Sequence, residues 1–370
     1  PDQSAGWCHD RAVSVPALLR RVPPLRNRPP APADPFTDDI RASAAQGTQL
    51  GDDVTAVDDV LVPAFHRADG EAVLAQQRWA RRELGLLVLS GLLVVASSVQ
   101  AAYGESGWPG LVVAALGGIA AVLAGTTRSS DARGVYLRAR REAERLRSLA
   151  WTHLAATEAG DPRHRRRLLM RSVARIRLQS VEGSGDIPQQ TESDEEAAVG
   201  VPASDAPREG NATAEPRAEH LVGLYLDGRL GDQRDGYRRR QAEFDAAERQ
   251  GGRIRTALLV VATILGAFSA SDVLPESALP WLGVAATVAT ALSAITTGWM
   301  RLQAFDTRAR LYELTEARLG AAQADRPLTV DGVRAEAYLG QCENIMLAEH
   351  GAWTSQTPVS AREPTTDERT

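Results

Sequence analysis

The chain contains no lysine, so all 42 basic side chains among its 370 residues are arginines. Its two cysteines, Cys8 and Cys342, lie near opposite ends, which excludes a disulfide framework and a Cys-x-x-Cys metal site and favours a reducing compartment. Motifs of the common enzyme classes are also missing: GxSxG, HExxH, GxxxxGK[ST] and a GxGxxG that follows a strand do not occur. We therefore predict that the protein is not an enzyme and needs no cofactor or metal.

Charge is nearly absent from two long stretches of the sequence. Two apolar runs, at about 84–103 and 108–127, are separated by "GESG", and two more, at about 256–274 and 279–300, are separated by "PESALP". A helix of about 20 residues rises roughly 30 Å, the thickness of the hydrocarbon layer. Each run is apolar on all sides, whereas a helix at the surface of a soluble protein needs a polar face. The sequence predicts an all-α membrane protein with four transmembrane helices in two hairpins.

The charges that flank these runs are distributed unequally. The two short loops carry only acids, which are Glu105, Asp272 and Glu276, and the opposite ends carry arginines, which are Arg78, Arg81, Arg82, Arg128, Arg133, Arg253, Arg255, Arg301, Arg308 and Arg310. Positive residues stay on the cytoplasmic side of a membrane. We expect cytoplasmic N- and C-termini and an inner-membrane location. No charged residue is expected within the lipid, which argues against a coupled pump.

The remaining segments define the predicted domains. Residues 1–56 are rich in proline and predicted to be a disordered arm, and because the sequence begins with Pro1 we expect the natural start to lie elsewhere. Residues 57–180 form a first unit, 181–217 an acidic disordered linker, 218–324 a second unit, and 325–370 a C-terminal helix and tail. The Arg-rich stretch 163–177 is predicted to fold back as an amphipathic helix on its neighbour or on the membrane surface, and no nucleic acid is expected as a partner.

Small residues form stripes on two of the predicted membrane helices. One stripe comprises Gly283, Thr287, Thr290, Ala294 and Thr297, and the other comprises Gly117, Ala121 and Gly125. Small residues let helices approach closely, and threonine hydroxyls can bond across such a contact. Helix packing is the favoured interpretation, and the alternative is that the threonines line an aqueous path in an oligomer.

A second candidate site lies on the helix that leads into the third apolar run. Tyr225, Arg229, Gln233 and Tyr237 recur at intervals of four, so they share one face of a helix. Arginine flanked by aromatic rings suits a phosphorylated ligand. The alternative, which we favour, is packing between the cytoplasmic helices with Arg229 paired to a carboxylate.

Two stretches resemble the SLATT family, the two-transmembrane effectors associated with SMODS nucleotidyltransferases and SLOG nucleotide sensors in bacterial conflict systems. "VPAFHRADGEAVLAQQRWARRE" at 62–83 is similar to the lead-in helix of one subfamily, and "YLDGRLGDQRDGYRRRQA" at 225–242 to that of another. The order of helix, hairpin and helix occurs twice, so the resemblance suggests two tandem units.

The resemblance implies a membrane effector that forms pores when a nucleotide signal or a partner activates it. It also implies a homo-oligomer in the lipid bilayer and a nucleotide-sensing or nucleotidyltransferase partner. The alternative function is a non-conducting membrane scaffold whose cytoplasmic helices recruit a partner.

Overall fold

The structure, a computed structural model, describes residues 34–45, 50–102, 108–129, 132–156, 161–182, 215–270, 275 and 277–356. Throughout these ranges the regular structure is helical and no strand is present. Four of the helices are long and apolar enough to cross a membrane. The predicted all-α fold with two membrane hairpins is therefore confirmed.

Consecutive helices are joined by short connections, except that residues 183–215 separate α6 from α7. They are α1 (Asp38–Ala45), α2 (Leu50–Val60), α3 (Val62–Ala102), α4 (Trp108–Ser129), α5 (Ala132–Ala155), α6 (Pro162–Glu182), α7 (Pro216–Leu224), α8 (Gly231–Ser269), α9 (Leu279–Gln303), α10 (Phe305–Ala324) and α11 (Gly332–Gln356). A π-helical turn, Tyr225–Leu230, joins α7 to α8. Ala304, which has a φ of 48°, separates α9 from α10.

Helices α3, α4, α8 and α9 carry the four apolar runs and pack as a row. Helix α4 packs on α3, α3 on α9, and α9 on α8. Many large apolar side chains of these helices face outward, among them Leu92, Leu111, Val122, Ile264 and Trp281. A soluble protein rarely exposes so large an apolar surface, and a bilayer would cover it.

The main hydrophobic core lies outside the apolar runs, in a bundle formed by the other helices and the polar ends of α3 and α8. Trp151 on α5 is completely buried at its centre, with Phe36 and Tyr225 edge-on at ring-centroid distances of 5.1 and 5.2 Å. The two predicted units therefore share one core and do not fold as separate domains.

The N-terminal arm differs from the prediction. Residues 1–33 lie outside the described part of the chain, but 38–45 and 50–60 are helices where we expected disorder. Apolar residues at helical spacing explain the difference: Leu50, Val54 and Val57 are buried in the shared core, and Ile40 packs against Gly228. The prediction of a disordered arm up to residue 56 is wrong for these two helices.

The C-terminal boundary of the second unit also differs. Helix α11 packs on α5, α7 and α10, and its Leu339, Cys342 and Met346 are buried in the shared core. The second unit therefore continues beyond residue 324. The predicted linker is outside the described residues between 183 and 214, and so is the tail from 357 onward.

Candidate functional site in the membrane row and the helical bundle

The contact between α3 and α9 joins the two hairpins, and glycines make it possible. A Cβ atom at Gly91 would lie 2.3 Å from Cδ1 of Ile295, and one at Gly298 would lie 2.7 Å from Cδ2 of Leu87. The two helices therefore approach more closely than bulkier residues would allow. Neither glycine was predicted to be a contact residue. Both lie inside apolar runs, where a residue without a side chain often marks a close contact between helices.

The predicted stripe on α4 lies at the free edge of the row. Ala121 and Gly125 are exposed, Gly117 is half-buried, and a Cβ atom at either glycine would meet nothing within 4 Å. These small residues therefore leave a smooth helix surface that no other helix among the described residues covers closely.

The predicted stripe on α9 is only partly covered. Gly283, Thr287 and Thr297 are half-buried, and Thr290 and Ala294 are exposed. The hydroxyls of the three threonines donate to carbonyls of their own helix, at Gly283, Ala286 and Ser293, over 2.9 Å each. They do not donate across a helix contact, which differs from the bonding pattern that the packing interpretation supposed.

A groove of about 790 Å³ runs between α8 and α9. Thr256 and Thr263 on α8 face Thr290 and Thr297 on α9 across it, and Arg255 and Arg301 stand together at one end. The groove is therefore polar at one end and lined along its length by small and apolar groups.

The second set of predicted site residues lies around Glu343, an acid that we did not predict. The Nε and Nη2 atoms of Arg229 donate to Oε1 and Oε2 of Glu343 at 3.1 and 3.2 Å, and the Tyr225 hydroxyl donates to Oε1 at 3.0 Å. The side chains of Arg229 and Glu343 are only 5% and 2% exposed. Burial and the adjacent Glu343 hold the pKa of Tyr225 well above its ordinary value.

The other members of the set are less tightly held. The Tyr237 hydroxyl lies 3.5 Å from Oε2 of Glu349 on α11, and Gln233 is half-buried. Burial, followed by Glu349, raises the pKa of Tyr237 well above its ordinary value. The geometry is that of a packing face against α11, and Arg229 is already occupied by a carboxylate.

A second charge network ties the two units together. The carboxylate of Asp53 on α2 forms ion pairs with Arg165 on α6 and with Arg217 on α7, each with an N–O distance of 2.9 Å. The same arginines donate to the carbonyls of His153 and Leu154, which end helix α5. Positive side chains commonly stabilise the carbonyls at a helix C-terminus. Burial, followed by these two arginines, lowers the pKa of His153 to about 4.

Helix α6 presents an unpaired positive surface. Arg163, Arg167, Arg171 and Arg175 recur every four residues, are exposed, and make no ion pair among the described residues. The opposite face of α6 buries Leu169 and Val173 against the bundle, so α6 packs on its neighbours α5 and α2.

Two family models match separate parts of the chain. Residues 225–353 match the SMODS and SLOG-associating 2TM effector domain 1, and residues 64–162 match a family described as a protein of unknown function, DUF4231. No curated protein and no solved structure shows significant similarity to the chain. The first match includes most of α11, in agreement with the packing of that helix. The second match is to a different family, so it does not show that the first unit is a second SLATT unit. Residues 225–353 of this chain are therefore similar to the SLATT family of two-transmembrane effector domains.

Proposed function

We propose that the chain is an inner-membrane effector of a bacterial conflict system, which assembles into an oligomer and permeabilises the membrane when it is triggered. The SLATT match of residues 225–353 supports the class of effector. The observation that supports assembly is the row of α4, α3, α9 and α8, because a single row encloses no path for water or ions. Several protomers would be needed to surround one.

The exposed stripe on α4 is the surface that we propose for the contact between protomers. It stands at the edge of the row, and its small residues would allow another helix to approach closely. The threonines of α9 are less suited to line the path, because their hydroxyl donors are already used within the helix.

We also propose that both units act as SLATT-like halves of one effector. The shared core and the Asp53 network would let a signal received by either unit reach both hairpins. The exposed arginines of α6 offer a surface for an anionic trigger or for an acidic region of a nucleotide-sensing or nucleotidyltransferase partner. The arginine flanks support the proposed orientation, with both termini in the cytoplasm.

The test is dye entry and membrane potential in cells induced to express the chain. We expect the wild type to admit a membrane-impermeant dye and to lose its potential. The double variant Gly117→Leu/Gly125→Leu should lose most of this effect, and Val112→Leu/Ile119→Leu, at exposed apolar positions on another face of α4, should retain it. If cells remain intact with the wild type and with both variants, the result would favour the alternative, a non-conducting scaffold that recruits a partner.

The threonine stripe is tested in the same assay with Thr287→Val/Thr290→Val/Thr297→Val. Valine keeps the shape of threonine and replaces the hydroxyl with a methyl group. We expect dye entry to persist, because the hydroxyls bond within α9. A complete loss would assign these threonines to the path itself.

A further inference from the structure

The groove between α8 and α9 has two unlike parts. At one end stand Arg255 and Arg301, each at the end of an apolar run, exposed, and without an ion-pair partner among the described residues. Beyond them the walls are formed by residues of the apolar runs, down to Ile264 on α8 and Thr290 on α9. We propose that this groove binds an anionic phospholipid of the leaflet on the arginine side.

The depth of the groove fits one leaflet of a bilayer. From Thr256 to Ile264 a helix rises about 12 Å, and half of the hydrocarbon layer is about 15 Å thick. An acyl chain that enters at the arginines would therefore reach the end of the groove near the middle of the bilayer.

The chemistry of the walls fits an acyl chain better than water or a polar ligand. The hydroxyls of Thr256, Thr263, Thr290 and Thr297 donate to the carbonyls four residues earlier in their own helices, at distances of 2.9–3.0 Å. With these donors satisfied, the threonines present mainly methyl groups and oxygens that require no partner, so an apolar chain leaves no threonine donor unpaired.

The charge at the mouth fits a phosphate group. Two guanidinium groups at one site can bind phosphate oxygens through charge-assisted hydrogen bonds. A second protein copy is a poorer occupant, because it would have to supply an acid at the membrane boundary, and nearby Asp306 is already paired with Arg310 at 3.2 Å. The proposal does not depend on whether the assembled chain conducts.

The experiment measures lipid binding to the full-length chain, purified and delipidated in a neutral detergent. Native mass spectrometry follows titration with phosphatidylglycerol, with phosphatidylcholine and with inorganic phosphate. We expect phosphatidylglycerol to bind at least ten-fold more tightly than phosphatidylcholine, and phosphate at millimolar concentration not to displace it. Equal binding of the two lipids, or displacement by phosphate alone, would overturn the proposal.

Two variant pairs test the residues. Arg255→Gln/Arg301→Gln should weaken phosphatidylglycerol binding on the order of ten-fold or more, because each basic residue contributes roughly five-fold near an anionic surface. Arg249→Gln/Arg253→Gln removes the same charge from exposed sites on α8 outside the groove and should change binding less than two-fold. Equal losses in both pairs would show general attraction of charge and would overturn the proposal.

A third pair fills the groove itself. Ala294→Trp places a large ring in the groove, and Leu292→Trp places it on an exposed part of α9 outside the groove lining. We expect only Ala294→Trp to reduce lipid binding, with the number of protomers per particle unchanged. Unchanged lipid binding in Ala294→Trp would overturn the proposal. A change in the number of protomers per particle would also overturn it and would assign the groove to a protein contact.

Discussion

At the scale of single residues, the helical bundle outside the apolar runs depends on buried charges that pair with one another. The carboxylate of Glu343 accepts hydrogen bonds from Arg229 and Tyr225, and all three side chains are nearly inaccessible to water. A buried ion pair adds little net stability over an apolar pair, but removal of one partner leaves a charge without compensation. Stability should therefore respond much more strongly to a change at Glu343 than to a change at an outer pair.

Glu343→Ala should lower the free energy of unfolding by about 3–5 kcal/mol, because Arg229 would remain buried without the carboxylate to which it donates. The matched control is Glu316→Ala, since Glu316 pairs with Arg234 and Arg238 but is 20% exposed. The control should lose about 1 kcal/mol or less. Thermal unfolding of both purified variants in detergent measures the difference, and equal shifts in the midpoint would contradict this prediction.

The buried histidine gives the bundle a specific dependence on pH. The native pKa of His153 is lowered to about 4 from an ordinary value of 6.5 by burial, Arg165 and Arg217. Between these values the unfolded chain binds a proton that the folded chain does not, so His153 stabilises the fold above pH 6.5 and this contribution is lost as the pH falls towards 4. The full effect is roughly 3 kcal/mol.

The variant His153→Leu should lose less stability than the wild type between pH 7.5 and pH 5. The substitution breaks no hydrogen bond at Nε2 of His153, because that atom has no hydrogen-bond partner among the described residues. His164→Leu, at an exposed position on α6, is the control and should follow the wild type. The unfolding midpoint at the two pH values is the measurement, and identical pH dependence in all three proteins would contradict the assignment.

At the scale of the helices, the α3–α9 contact holds the two hairpins together. Gly91→Val and Gly298→Val should each destabilise the chain by about 1–3 kcal/mol, since the added atoms would overlap Ile295 and Leu87 unless those side chains turn away. Gly85→Val and Gly266→Val are the controls, because a Cβ atom there meets nothing within 4 Å. Unfolding midpoints in detergent should separate the two pairs, and overlap between them would argue against a close contact.

How much the sequence could predict also differs among the helices. The four apolar runs were recognisable because length and hydrophobicity alone identify a membrane helix. The partner of Arg229 was not, because Glu343 lies 114 residues away and only the packing of α11 brings it near. The short helices α1 and α2 carry too few turns for a clear periodic signal, and the bundle stabilises them after the chain has folded.

At the scale of the whole molecule, one chain supplies a row of membrane helices on a stem, which is the helical bundle that holds the shared core. The row has two edges, α4 and α8, and the groove that we assign to lipid lies between α8 and α9. An anionic lipid on that side leaves the stripe of α4 as the surface for other protomers. The shared stem links both hairpins, so a partner bound to the stem would act on the whole row at once.

The most direct test of this account is to count protomers in the membrane of living cells. A fluorescent protein fused to the chain, expressed at low density, is bleached in single spots, and the number of bleaching steps reports the number of copies. In cells that take up dye we expect several steps for the wild type and for Val112→Leu/Ile119→Leu. In cells that express Gly117→Leu/Gly125→Leu, which should exclude the dye, we expect mostly one step. A single step for the wild type in permeabilised cells, or the same number of steps in all three proteins, would contradict assembly through α4.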